Sequence, residues 1–125
     1  MQLLNNFFSI TSEPLEGEKQ SYGIELHPGH FIFAAHFPGN PIVPGVCQIQ
    51  MITELLEKKF AKRLYVKEIK NIKYLNVLTP NEVTSLNITF QKLAEEETSL
   101  KAVVLYETSE KQYAKISLTY VYEMI

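Results

Sequence analysis

One stretch limits the possible folds more than any other. Residues 45–60, GVCQIQMITELLEKKF, repeat apolar side chains at helical spacing. Ile49, Ile52, Leu56 and Phe60 form one stripe, and Val46, Met51 and Leu55 widen it. A narrow polar strip of Gln50, Thr53, Glu54 and Glu57 is left over. A helix this apolar cannot rest on a surface; it has to be wrapped. Pro44 stands just before its first turn, where a missing N–H costs little.

The wrapping comes from six strand-like runs. Two precede the helix, at 6–12 and 20–26, where Tyr22, Ile24 and Leu26 alternate on one face. Four follow it, at 66–75, 83–90, 100–106 and 113–122, with polar turns over 92–97 and 108–111. One long helix inserted after the second of six strands predicts an α+β chain: an antiparallel sheet of about six strands around one central helix. The 125 residues suffice for a single domain, 1–125, and not for two independent cores. Sheet edges and surplus tyrosines favour pairing with a second copy.

Between the second strand and the helix lies FIFAAHFPGNPIVPG, residues 31–45. Pro38, Pro41 and Pro44, with Gly39 and Gly45, fall within eight residues, yet Phe31, Ile32, Phe33, Phe37, Ile42 and Val43 are large and apolar. Proline lacks an N–H and fixes φ, so this segment is expected to be neither helix nor central strand but a rigid, buried, site-shaping loop.

Composition removes several function classes. All fourteen acidic residues are glutamates, which excludes any mechanism needing aspartate. A net charge of −2 gives no reason to expect nucleic acid. No apolar run is long enough for a membrane span, and no signal peptide is evident, so a cytoplasmic protein is expected. Cys47 is the sole cysteine and reads as a small core residue. His27, His30 and His36 are too loosely spaced, with no acidic ligand nearby, to suggest a metal site.

The run His36-Phe37-Pro38-Gly39-Asn40-Pro41-Ile42-Val43-Pro44-Gly45-Val46 resembles the signature of the bacterial 3-hydroxyacyl-(acyl-carrier-protein) dehydratases of the FabA/FabZ type. The resemblance implies a hot-dog fold, a homodimer (alone or as three such dimers) and a role in fatty-acid or polyketide-type lipid biosynthesis. The substrate would be an acyl-carrier-protein or CoA thioester, with no metal or organic cofactor. His36 would be the base for the C2 proton. The free amides of Gly45 and Val46 at the helix N-terminus would hold the thioester oxygen. Phe33, Phe37, Ile42 and Val43 would line the acyl tunnel.

One departure concerns the acid. The family places a carboxylate fourteen residues after the histidine, commonly with a glutamine four residues later; here these positions are Gln50 and Glu54. Both lie on one helix face, about 6 Å apart along the axis. Three readings stay open: Glu54 supplies the proton, directly or through water on Gln50; dehydration is lost and the chain is a non-catalytic acyl-binding accessory subunit; or a related step, such as isomerisation or thioester hydrolysis, replaces it. A cluster of seven cations against two glutamates over residues 57–73, including Lys58, Lys59, Lys62 and Arg63, would suit an acidic carrier protein.

Overall fold

The computed structural model describes residues 2–36 and 39–123. Its elements run β1 (Phe8–Ser12), β2 (Ser21–Leu26), α1 (Phe31–Ala35), α2 (Gly45–Phe60), β3 (Leu64–Tyr74), β4 (Ser85–Glu95), β5 (Ser99–Glu107) and β6 (Gln112–Tyr122). The strands form one six-stranded antiparallel sheet in the order β1-β2-β4-β5-β6-β3. This is the hot-dog arrangement, α+β in class, with α2 spanning the residues expected of it.

The helix is held on most sides. Met51, Ile52, Leu55 and Leu56 are fully buried and join one core cluster with Ile24, Ile88, Val104 and Ile116 of the sheet. Each such side chain contributes roughly 1.5–3 kcal/mol by leaving water. Two polar rungs fix the helix rotation. Thr53 Oγ1 lies 2.8 Å from the Tyr120 hydroxyl on β6, and the Tyr106 hydroxyl on β5 donates to the Gln48 carbonyl. The stripe is shifted from the sequence expectation, because Val46 is exposed whereas Thr53 and Glu54 are buried.

Two further differences have physical causes. Residues 31–35 form a short helix rather than loop. All three prolines lie C-terminal to it, and His30 caps it, its Nδ1 accepting from the Ile32 amide at 3.1 Å. The loop beyond is not uniformly buried: Val43 is, whereas His36, Gly39 and Asn40 are exposed. Gly39 turns at φ +82°, a conformation glycine adopts without strain. Strand β4 also continues to Glu95, through residues expected to form a turn. Lys92–Glu95 pair with Leu100–Val103 of β5, and the exposed polar side chains there suit a solvated outer face.

At the open end of the sheet, β3 pairs with β6 through two register shifts, near Lys67 and Lys70. Tyr65, Val66, Ile69 and Tyr74 on β3 are exposed, as are Leu75 and Val77 just after it.

Candidate functional site

The three histidines have very different surroundings. His27 is committed to structure: Nδ1 bonds to the Asn6 carbonyl and Nε2 to Ser9 Oγ, both at 2.7 Å. His30 caps α1, with its ring between Phe7 (centroids 5.3 Å apart) and Phe31 (4.6 Å). His36 ends α1, its backbone N–H donating to the Ile32 carbonyl at 3.0 Å. Its side chain is exposed and makes no bond among the described residues. Of the three imidazoles, only that of His36 has no partner among the described residues. Among the described residues no group of three or more ligating side chains could hold a metal ion.

Nine residues on, α2 begins without a side-chain cap. Pro44 accepts from the Cys47 and Gln48 amides, both at 3.0 Å. The Gly45 and Val46 amides are the orphan donors at the positive end of the helix dipole. Gly45 lies in the wall of a cavity of about 450 Å³ with Ile42, Val43, Tyr74 and Leu78. A side chain at position 45 would collide with the Tyr74 hydroxyl, so glycine is what lets Tyr74 lie against the helix end. This wall also contains Gln48, which sequence reasoning missed. The signal was visible as a polar residue one turn before Ile52, on the buried face of the stripe. Burial pushes the neighbouring Cys47 thiol up, away from the reactive thiolate.

Gln50 and Glu54 occupy a different environment. Glu54 is buried, and its carboxylate is taken up by backbone. It accepts from Leu3 N–H at 3.0 and 2.9 Å, from Leu4 N–H at 2.7 Å, and from Gln50 Nε2 at 2.8 Å. This clamps the segment before β1 onto the middle of α2. Gln50 lines a second cavity, about 660 Å³, with Thr53, Glu57, Lys62, Arg63 and Tyr65. The expected site residues are thus divided within one chain, with Gly45, Ile42 and Val43 at one cavity and Gln50 at another.

Phe33 is buried and stacks on Phe7, centroids 4.8 Å apart. Phe37 lies outside the described residues. Of the four named cations, Lys58 pairs with Glu13, and Lys59 donates to Gln20 Oε1 at 2.9 Å. Lys62 sits 4.3 Å from the Tyr122 ring centroid and 3.8 Å from Glu95. The Arg63 side chain has no such partner among the described residues.

Comparison with known proteins places this geometry. Residues 12–117 match the model of the ApeI-like family, described as ApeI dehydratase. The 3-hydroxyacyl-(acyl-carrier-protein) dehydratase FabZ of Lactobacillus helveticus is 32% identical over 87 residues, 54% of this chain and 59% of that protein. FabZ of Lactiplantibacillus plantarum is 33% identical over the same length and shares. The chain therefore spans about three-fifths of the length of these curated relatives. Among solved structures, the dehydratase heterocomplex ApeI:P from Xenorhabdus doucetiae matches with a TM-score of 0.57 at 18% identity, covering 86% of this chain and 92% of that one. A conserved protein from Pseudomonas aeruginosa matches with a TM-score of 0.63 at 12% identity, covering 94% and 90%. These likenesses establish the fold. Among the described residues no helix is long and apolar enough to cross a membrane.

Proposed function

The chain belongs to the ApeI-like dehydratase family, and from that premise we propose that it removes water from 3-hydroxyacyl thioesters in lipid biosynthesis, working as a pair of copies in the cytoplasm. The observation that carries the reading is the His36 imidazole, without a partner among the described residues and one proline-rich loop away from an uncapped helix end that opens on an apolar cavity. The thioester oxygen sits against the Gly45 and Val46 amides, and the chain runs along Ile42 and Val43. His36 takes the C2 proton while the amides stabilise the charge developing on the oxygen.

The proton for the leaving hydroxyl needs a source. Glu54 is poorly suited, because its oxygens already accept two backbone N–H groups and Gln50. The imidazolium formed at His36 supplies it instead: the C3–O bond breaks, water departs, the C2=C3 double bond forms, and His36 returns to its neutral state. Gln50 of the partner subunit hydrogen-bonds the departing oxygen, held in place by the carboxylate behind it. The second copy docks along the exposed β3 edge, where Tyr65, Val66 and Ile69 are otherwise left in water. Arg63 with the lysines beside it draws an acidic carrier protein or the phosphates of CoA.

The test follows enoyl formation from a 3-hydroxyacyl thioester on carrier protein and on CoA. Wild type should turn over, His36→Ala should not, and Glu54→Gln should be slowed without being silenced. Loss of all activity in a folded Glu54→Gln protein would make Glu54 the acid and overturn the single-imidazole route. Activity appearing only in Gln50→Glu would mark the natural chain as a binder. Release of free acid without enoyl product would mark a thioesterase.

A further inference from the structure

Gln48 is 4% exposed, and half of its amide is unanswered. Nε2 donates to the Val43 carbonyl at 3.3 Å, which turns Oε1 the other way. That oxygen is buried with no hydrogen-bond donor in reach among the described residues. The nearby Tyr106 hydroxyl cannot supply one, since its proton is spent on the Gln48 backbone carbonyl. A buried acceptor without a partner is uncommon and calls for a cause. Gln48 shares the wall of the 450 Å³ cavity with Gly45, one helical turn earlier.

We propose that Gln48 Oε1 is the acceptor for the C3 hydroxyl of the acyl group, and so the residue that selects 3-hydroxyacyl thioesters over 3-oxoacyl and saturated ones. The inference rests on the acyl-thioester reading above and adds a ligand contact to it. Gly45 offers a donor and Gln48 an acceptor, about 4.5 Å apart along the helix axis. A 3-hydroxyacyl thioester offers the complement: an acceptor at C1 and, two bonds along the chain, a donor at C3. A 3-oxo group would set acceptor against acceptor. A saturated chain or the enoyl product would leave Oε1 unanswered, which penalises retention of product. A site built to hydrogen-bond a hydroxyl rejects analogues lacking one because its own polar group is then stranded. The hydroxyl oxygen, donating its hydrogen to Gln48, keeps lone pairs free for Gln50 and for the proton from His36.

The probes are pantetheine analogues with nitrogen in place of the thioester sulfur, which makes the C2 proton too weakly acidic for turnover. The 3-hydroxyhexanoyl, 3-oxohexanoyl and hexanoyl amides are titrated calorimetrically into wild type and Gln48→Met. In wild type the hydroxyl compound should bind about ten-fold more tightly than the hexanoyl compound, and the 3-oxo compound no better than the latter. Gln48→Met should erase the preference while keeping hexanoyl affinity within about two-fold. Equal binding of the three probes by wild type would overturn the assignment, pointing to a bound water on Oε1, and would leave the acyl-thioester reading standing. Survival of the preference in Gln48→Met would overturn it also. Failure of all three to bind would remove the acyl-thioester reading and this inference with it. Should Gln48→Met not fold, the wild-type comparison alone decides.

Discussion

Replacing Glu54 tests the clamp at the centre of the molecule. Its carboxylate receives the Leu3 and Leu4 amides and Gln50 Nε2 inside the protein. Glu54→Leu puts an apolar side chain in this buried position and leaves both backbone donors without an acceptor. At about 1–3 kcal/mol for each stranded donor, the loss should reach about 3–5 kcal/mol. Glu54→Gln is milder. One oxygen still accepts from Leu3 and Leu4, and Gln50 can turn its own amide to meet the new NH₂. What goes is the charge assistance, about 1–2 kcal/mol. Urea unfolding reads both. With a slope near 1.5 kcal/mol/M, Glu54→Leu should lower the midpoint by roughly 2 to 3 M and Glu54→Gln by about 1 M. Amide exchange at Leu3 and Leu4 should accelerate in Glu54→Leu before exchange in β5 does. A Glu54→Leu protein as stable as wild type would refute the reasoning, because burying the charge would then cost as much as its bonds return.

Further outcomes follow from other parts of the chain. Ala61 ends α2 in the left-handed region at φ 52°; Ala61→Gly should relieve that strain and raise stability by about 0.5–1 kcal/mol in the same urea assay. Burial pushes the Tyr106 and Tyr120 phenols well above their ordinary value. In the unfolded chain they ionise near pH 10, so their contribution is complete below about pH 10 and is lost as pH rises beyond it. Alkaline unfolding by circular dichroism should therefore track part of the tyrosinate absorbance, and Tyr120→Phe should flatten the pH slope. Ile69→Lys, on the exposed β3 edge, should halve the mass seen by light scattering; an unchanged mass would move the second copy elsewhere.

The sequence made the wrapped helix legible because its periodicity is local and strong, and all six strands lie on runs it marked, three of them (20–26, 83–90 and 113–122) by alternation. The short helix at Phe31–Ala35 was hidden by its proline-rich neighbours, whose influence does not reach back across Ala35 and His36. The true length of β4 was hidden by polar side chains that suit a solvated strand as well as a turn. Glu54 looked like part of a solvated strip because its partners, Leu3 and Leu4, lie fifty residues away and act through backbone N–H groups, which no sequence displays. His36 and Gly45 were legible as site candidates from the motif around them. That His36 is the imidazole without a partner among the described residues required seeing what His27 and His30 hold.

The strand order has a consequence for how the chain reaches this state. Strand β3 follows α2 directly yet pairs with β6, which is synthesised only after β4 and β5. Until residues 85–122 emerge, α2 is covered only by β1, β2 and the segment before them, and β3 has no strand to pair with. Folding must wait on contacts of long sequence separation, which slows it and lengthens the interval in which a nascent chain is vulnerable to clumping. Cells making this protein would then depend on chaperone shelter during synthesis more than they would for a helical bundle of equal size.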